Sequence, residues 1–570
     1  MNQTDKLFIG IDLGTTFCTA SIYYDNNFNI IELHGNNSMP SWISFSEFPD
    51  RMIFGETAKN DMKVYYIFYD SKRLIGKTLD DFKKLKNERK NWPFTVKAFD
   101  NKLKMGIDDP ESNSDDSEEE IENNEFKSDG KIFFYPEEVS AFLLKDMISI
   151  IKKRYPNVPI ENVVVTVPAD FNQQQKLATE RACKIAGIKK FSLMNEPSAS
   201  ILFYKHIHPE HQFNNCLVVD FGGGTLDVSC ATNSNGNVKI VSTGGNSNLG
   251  GNDFDRVISK IFKTKLKEDY HCDCDELFEE KSIETSKIIN QKRTIKKNLR
   301  IESEKTKIEL PSKEFFEIET HKIFTPQQIT RYAIPEKVLI NQEDFIEESQ
   351  EIITKLKRDI ERIINKANFD KHNIDLVLLV GGSCKIPFVR NEIEKIVKGS
   401  TICYDINFEP LFSVAKGAAK QASFEYFLVE EEIIVETIPY SLGIQVSPNH
   451  SNKFIQAGHS LPFKKEYTFY PTKDYVDHAD INFYRGESKY VDDNELIQTM
   501  RISNIPKELK RTDYKITLEI KISNVGIIEA KAWKFGEKNN PLAEFSLTMD
   551  VSHPDDVLNA MIDHFDFYSI

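Results

Sequence analysis

The chain has 570 residues, more than one hydrophobic core accommodates, and at ~150 residues per domain it divides into roughly four compact units. Its 40% hydrophobic and 11% aromatic content excludes global disorder, and 25 Gly with 22 Pro exclude a collagen-like or low-complexity polymer. Lys and Arg number 73 against 88 Asp and Glu, and the net charge of −15 repels a phosphate backbone or an anionic membrane, so neither nucleic acid nor membrane is an expected partner.

In chain order, Met1 to Lys6 is polar and lacks the apolar core of a signal peptide, and the run Leu7 to Leu13 has the length and apolarity of a strand covered on both faces. Ten of the acidic residues fall between Ile107 and Glu125 with no basic residue among them, so 107–127 is expected to be a disordered acidic insertion. Pro136-Glu137-Glu138 opens a predicted helix whose apolar face is Val139, Phe142, Leu143, Met147, Ile150 and Ile151. Asn162 to Val167, Asn215 to Phe221 and Ile374 to Val380 are further buried strands, and Ile346, Ile353, Leu356, Ile360, Ile363 and Ile364 mark a second long helix. Alternation of this kind points to α/β architecture. The eight cysteines are sparse and lie mostly in apolar runs, as reduced core thiols do, and the cluster His271-Cys272-Asp273-Cys274 lacks the second pair that a structural zinc site requires. These features, with no apolar run long enough to span a membrane, make a cytoplasmic location the expectation.

Beyond Glu436 the pattern becomes short alternating runs: Ser441 to Val446, Tyr467 to Tyr470, Asp480 to Tyr484, Tyr514 to Ile522 and Ile527 to Trp533. That is an all-β pattern. The expected division is 1–431, a linker at 432–437 that is apolar and then acidic, an all-β unit at 438–545, and a short C-terminal segment at 546–570.

Three glycine-bearing loops follow apolar strands: Asp12-Leu13-Gly14-Thr15-Thr16-Phe17, Asp220-Phe221-Gly222-Gly223-Gly224-Thr225-Leu226-Asp227 and Gly381-Gly382-Ser383-Cys384-Lys385. Such turns bring backbone N–H groups close to phosphate oxygens, and neighbouring hydroxyls add donors. Asp12 and Asp220 each end a strand just before a loop, and two carboxylates facing one phosphate chain repel unless a cation such as hydrated Mg²⁺ lies between them. None of the loops is a Gly-x-x-x-x-Gly-Lys-Ser/Thr P-loop or a Gly-x-Gly-x-x-Gly dinucleotide fingerprint. Two similar hairpins about 200 residues apart suggest a duplicated fold clasping one nucleotide.

The segments Ile9 to Thr16, Val165 to Asn172, Asn195 to Ala199, Leu249 to Asp255 and Val380 to Ser383 resemble, in order, those of the heat-shock protein 70 chaperone family, with similarity extending over about residues 7–545. The resemblance implies an actin-like, two-lobed α/β ATPase domain followed by an all-β sandwich that binds peptide. It further implies ATP or ADP, Mg²⁺ and K⁺ as cofactors. Lys72, Thr225, Glu196 and Asp227 match catalytic positions, and Asp12 and Asp220 match the carboxylates that hold Mg²⁺ through water. Gly14, Thr15, Thr16, Phe17, Gly222, Gly223, Gly224, Gly250 and Gly251 match the phosphate side of the nucleotide site; Glu304, Lys307, Gly381, Gly382, Ser383 and Lys385 match its adenosine side. Pro311 stands where the family usually has Ser, and Lys385 replaces a stacking Arg, which loses a planar guanidinium surface. For Pro168 and Lys176 a role in relaying the nucleotide state is implied by the resemblance alone.

In the β unit, Ile444, Phe469, Ala479 and Ile481 match positions that line a peptide pocket, and ordinary sandwich core is the other assignment for them. The chain ends 25 residues after 545, so little or no helical lid is expected. The function implied is a slow ATP hydrolase coupled to protein folding and the stress response, binding extended apolar segments of unfolded proteins, with J-domain co-chaperones and nucleotide exchange factors as partners. The alternative is a weakly or non-hydrolysing co-chaperone or exchange partner of another such protein. A sugar or metabolite kinase would share the loops and leave the β unit unexplained.

Overall fold

The structure is a computed structural model describing residues 6–46, 51–84, 92–99, 102–107, 132–234, 236–280, 284–403, 408–427, 434–438, 440–546 and 561–562. The acidic stretch 108–127 lies outside the described residues. Ile107, expected as its first residue, is buried and accepts a place in the ladder by donating its N–H to the Ile132 carbonyl.

Two sheets repeat one topology. In the first, Leu7–Leu13 pairs antiparallel with Phe17–Tyr24 on one side and parallel with Ile160–Val167 on the other; Phe191–Asn195 and Asn27–Ile30 extend the two edges. In the second, Asn215–Phe221 pairs antiparallel with Leu226–Ser234 and parallel with Leu376–Val380, with Asn237–Asn246 and Thr401–Cys403 beyond them. Both central strands are apolar throughout because both faces are covered. Leu7, Ile9 and Ile11 enter the first lobe's core while Phe8 enters a central seam; Leu217, Val219 and Phe221 enter the second lobe's core while Cys216 and Val218 enter the same seam.

That seam holds the lobes together. It is filled by the helices Glu196–Ile207 and Ser413–Phe427, which supply Ala199, Leu202, Ala418, Ala419 and Ala422. Approach here is close: a Cβ on Gly417 would sit 1.8 Å from the Ala199 carbonyl oxygen, and one on Gly10 would sit 2.1 Å from that of Ala415.

The predicted helix at Pro136 runs over Pro136–Arg154, with the Glu138 carboxylate accepting from the Tyr135 N–H at 2.7 Å. The helix expected from Ile346 onward is instead two, Gln342–Glu348 and Gln350–Lys366, broken at the buried Ser349. Ile353, Leu356, Ile360 and Ile363 of the longer one form its buried stripe. Cys272 and Cys274 are buried in the second lobe's core, and the Cys272 thiol donates to the Ala333 carbonyl at 3.1 Å. Among the described residues no helix is long and apolar enough to cross a membrane, and no group of three His, Cys, Asp or Glu converges as direct metal ligands would.

The last unit is a sandwich of two four-stranded antiparallel sheets. One is ordered His450–Ile455, Leu442–Ser447, Ala479–Arg485, Glu495–Ile502, and the other Phe463–Phe469, Ile516–Ile522, Ile528–Lys534, Pro541–Ser546. Alternate residues such as Leu442, Phe483, Ile502, Leu518, Ile520 and Ala532 point inward to one core. Each lobe grips this unit differently. Ile434–Val435 adds a parallel strand to Asn237–Asn246 in the second lobe, and the Thr437 hydroxyl donates to the Ile240 carbonyl at 2.6 Å. Against the first lobe, Lys176 Nζ donates to the Val525 carbonyl at 2.7 Å, while Gln173 bonds the Gly526 carbonyl and the Ile528 N–H. Val525, Ile527 and Met561 are buried in the first lobe's core.

Candidate functional site

The first and second glycine loops meet face to face between the lobes. A Cβ on Gly223 would lie 2.1 Å from the Thr16 hydroxyl oxygen, and one on Gly224 would lie 2.8 Å from Thr15 Cγ2, so only glycine permits this approach. The Thr16 hydroxyl is buried without a hydrogen-bond partner. Behind the second loop, Gly251 and Asn252 donate their N–H groups to the Gly222 and Gly223 carbonyls at 2.9 and 2.8 Å, which seats the N-terminus of the helix Gly251–Glu268 against it. A Cβ on Gly250 would strike Gly223 O at 2.6 Å. The Ser383 hydroxyl donates to the Gly222 carbonyl at 2.8 Å, and Gly381, at φ +80°, places the third loop beside Asp220.

Carboxylates crowd the floor. Lys72, on a short 3₁₀ turn at Ser71–Arg73, donates to Glu196 Oε1 at 2.8 Å, and both side chains are buried. Burial disfavours the Lys72 ammonium, yet Glu196 and Asp12 hold its pKa above the usual lysine value. Asp12 receives the Thr166 hydroxyl at 3.3 Å; desolvation first, then Glu196, pushes its pKa up to about 7. Asp220 is raised well above the ordinary carboxylate range by burial, then by Glu196 and Asp12. Asp227 is raised too, by burial and then by Asp170, whose carboxyl shares a hydrogen bond with it. One ammonium therefore faces Asp12, Glu196, Asp220 and Asp227. Such a set suits an added cation held through water, together with donors that phosphate oxygens accept from.

Asp170 is the residue sequence reasoning missed. It lies within the quoted stretch Val165 to Asn172, but nothing in its spacing signals that its carboxyl meets Asp227, 57 positions on in the chain.

Toward the expected adenosine side, Glu304 and Lys307 lie on the helix Ser286–Glu309 and already hold protein partners: Lys59 at 2.7 Å and Asp255 at 2.7 Å. Ile308 between them and Pro311 is 66% exposed, and Gly382 and Lys385 are exposed on the third loop. Phe17 is half-buried, with the Lys59 ammonium 5.9 Å from its ring centre. Thr225 closes the second loop by accepting the Gly222 N–H on its carbonyl at 3.0 Å. Lys176 and Glu436 approach one another under the sandwich; burial first lowers the Lys176 pKa to about 8, with Glu436 opposing it. The Pro168 carbonyl accepts from the Phe171 N–H at 3.2 Å in a turn.

The helix Ser286–Glu309 also bridges the lobes. On one face, Arg293 donates to the Pro93 carbonyl at 2.8 Å, Lys297 to the Lys59 carbonyl at 3.4 Å, Arg300 pairs with Asp70 at 3.4 Å, and Glu304 accepts from Lys59. In the sandwich, Ile481 is core, whereas Ile444, Phe469 and Ala479 are half-buried and pack against that core. Ile444 and Ala479 belong to one sheet and Phe469 to the other.

The family model "Hsp70 protein" matches residues 8–566. Heat shock cognate 70 kDa protein 3 of Dictyostelium discoideum is 29% identical over 535 residues, covering 92% of this chain and 78% of the relative. Heat shock 70 kDa protein of Neurospora crassa is 30% identical over 506 residues, covering 87% of this chain and 71% of its own length.

Proposed function

The chain belongs to the Hsp70 family, a family of ATPases, and from that premise we propose that it is an ATP-driven chaperone that grips extended apolar peptide segments. The supporting observation is the buried Lys72–Glu196 pair set among Asp12, Asp220 and Asp227, beside the facing glycine loops.

The chain's own residues divide the work. The backbone N–H groups of Gly14 to Thr16 and Gly222 to Thr225, with the Thr15, Thr16 and Thr225 hydroxyls, bind phosphate oxygens. Lys72, kept charged by Glu196 and Asp12, stabilises the negative charge that builds on the transferring phosphoryl group. Glu196 fixes the Lys72 ammonium and orders water. Asp227, whose carboxyl shares the neighbourhood of Asp170, orients the attacking water and accepts its proton. Mg²⁺, when bound through water to Asp12 and Asp220, supplies the charge neutralisation those carboxylates need. Glu304, Lys307, Ser383 and Lys385 bound the adenosine end.

In the sandwich, Ile444, Phe469, Ala479 and Ile481 form the apolar contact for peptide, with backbone bonds giving a strand-like grip. The two attachments of the sandwich, the Ile434–Val435 strand and the Lys176 bond, couple nucleotide state to that grip. ATP turnover with and without an extended apolar peptide, beside Lys72→Ala, tests site, substrate class and coupling together. Slow turnover accelerated by peptide and lost in the variant is expected; turnover that Lys72→Ala leaves unchanged would refute it.

A further inference from the structure

A second cleft, of about 390 Å³, opens between the lobes and is lined by none of Asp12, Lys72, Glu196, Asp220 or Asp227. Its lining carries Arg73, Arg256, Lys260, Lys263, Lys296 and Arg300. Among the described residues, two acids line it. Asp70 is held by Arg300 and by the Trp92 indole N–H at 3.1 Å and also faces Arg73, and Asp255 is held by Lys307 and faces Arg300, so two acids meet six cations in the lining.

Three of the cations are tethered from outside the lining, Arg256 by Asp253, Lys260 by Glu348 and Lys296 by Glu280, which fixes the side chains along the rim. Lys263 has an aromatic partner, its ammonium 4.3 Å from the Phe278 ring centre, and burial followed by Lys296 lowers its pKa. Arg73 is 5% exposed and donates to the Gly224 carbonyl at 3.0 Å, while its Nε is buried with no acceptor. A buried guanidinium N–H without an acceptor, on a residue that lines a cation-rich cleft, is best satisfied by an oxygen of an anion.

We propose that this cleft binds a phosphate-type anion that contacts Arg73 of the first lobe and Lys263, Lys296 and Arg300 of the second. The volume lies within the range of small-ligand sites and admits more than one phosphate unit. An anion bonded to both lobes holds the cleft closed, and nucleotide leaves more slowly. The effect on release rests on the nucleotide assignment above; anion binding itself does not.

The test uses the full chain saturated with ADP, titrated by calorimetry with inorganic tripolyphosphate and, separately, with orthophosphate. One saturable site is expected, with affinity weakened at least about tenfold in Lys263→Ala/Lys296→Ala, whose basal ATP turnover and melting match the parent. Tripolyphosphate should slow ADP release in the parent and leave release unaltered in the double variant. If that variant does not fold, Lys263→Gln alone serves, with the same direction of change. Full response to orthophosphate identifies the hydrolysis product as the source, and response to tripolyphosphate alone identifies a polyanion from solution. No heat with ADP-loaded protein, or equal affinity in parent and variant, overturns the proposal. Binding without any change in ADP release retains the site and overturns only its effect on closure.

Discussion

Asp12 and Asp220 occupy the same place in two sheets of the same topology, and their neighbours differ. Asp12 lies opposite Thr19 across its hairpin and opposite Thr166 on the parallel side, so a hydroxyl reaches it. Asp220 lies opposite Asp227 and Val380, so its hairpin neighbour is a second acid and its parallel neighbour has nothing to donate. The repeated backbone therefore delivers two electrostatic environments. The first lobe partly solvates its own carboxylate, whereas the second concentrates charge that only a proton or an incoming cation relieves.

The largest expected break is removal of the cation both sides share. Lys72→Ala should lower single-turnover ATP hydrolysis by about 10²–10³, with nucleotide still bound in equilibrium dialysis. Next, Asp227→Asn should reduce turnover by about 10²-fold or more yet raise the melting midpoint of nucleotide-free protein by about 2–4 °C, because an amide replaces a carboxyl whose ionisation burial and Asp170 oppose. Asp12→Asn should give a smaller thermal gain, since Thr166 already serves that carboxylate. Equal gains from the two variants would erase the contrast.

pH sharpens it further. Folding raises the Asp12 pKa from 3.8 to about 7, so between these values the folded protein holds a proton that the unfolded chain releases. That contribution to stability is fully present below pH 3.8 and is lost as pH rises through about 7. In nucleotide-free protein, urea unfolding at a series of pH values should show Asp12→Asn flattening this fall, with a ceiling of about 4 kcal/mol. The smallest effect concerns how each lobe holds the sandwich. Gln173→Ala should weaken the side-chain grip of the first lobe by about 1 kcal/mol, seen as faster amide exchange at Val525 to Ile528, with the Ile434–Val435 ladder unchanged.

Much of the frame was legible because the chain repeats its instructions. Leu7 to Leu13 and Asn215 to Phe221 are apolar on both faces and end in Asp before glycine and threonine, so both strands and both loops stood out in the sequence. Short alternating runs likewise announced the sandwich, while its strands His450–Ile455 and Glu495–Ile502 were not among them. Spacing was silent where partners are remote. Lys59 meets Glu304 across 245 positions, and Asp170 meets Asp227 only after two sheets close on each other. The break at Ser349 was invisible to periodicity, since the apolar spacing continues through it.

The helix Ser286–Glu309 gives the closed cleft an all-or-none character. Arg293, Lys297, Arg300 and Glu304 follow at intervals of four, three and four, so they stand on one stripe of a single rigid rod. Any one side chain can release its partner by rotating, but the first lobe moves away from the rod only when all four have let go. Each contact is polar and finds a substitute in water once the cleft opens, whereas parting the apolar seam at Ala199 and Ala418 would expose hydrocarbon. The seam is therefore the pivot and the stripe a row of latches on one rod, all of which must be open at once before the lobes part over the nucleotide loops.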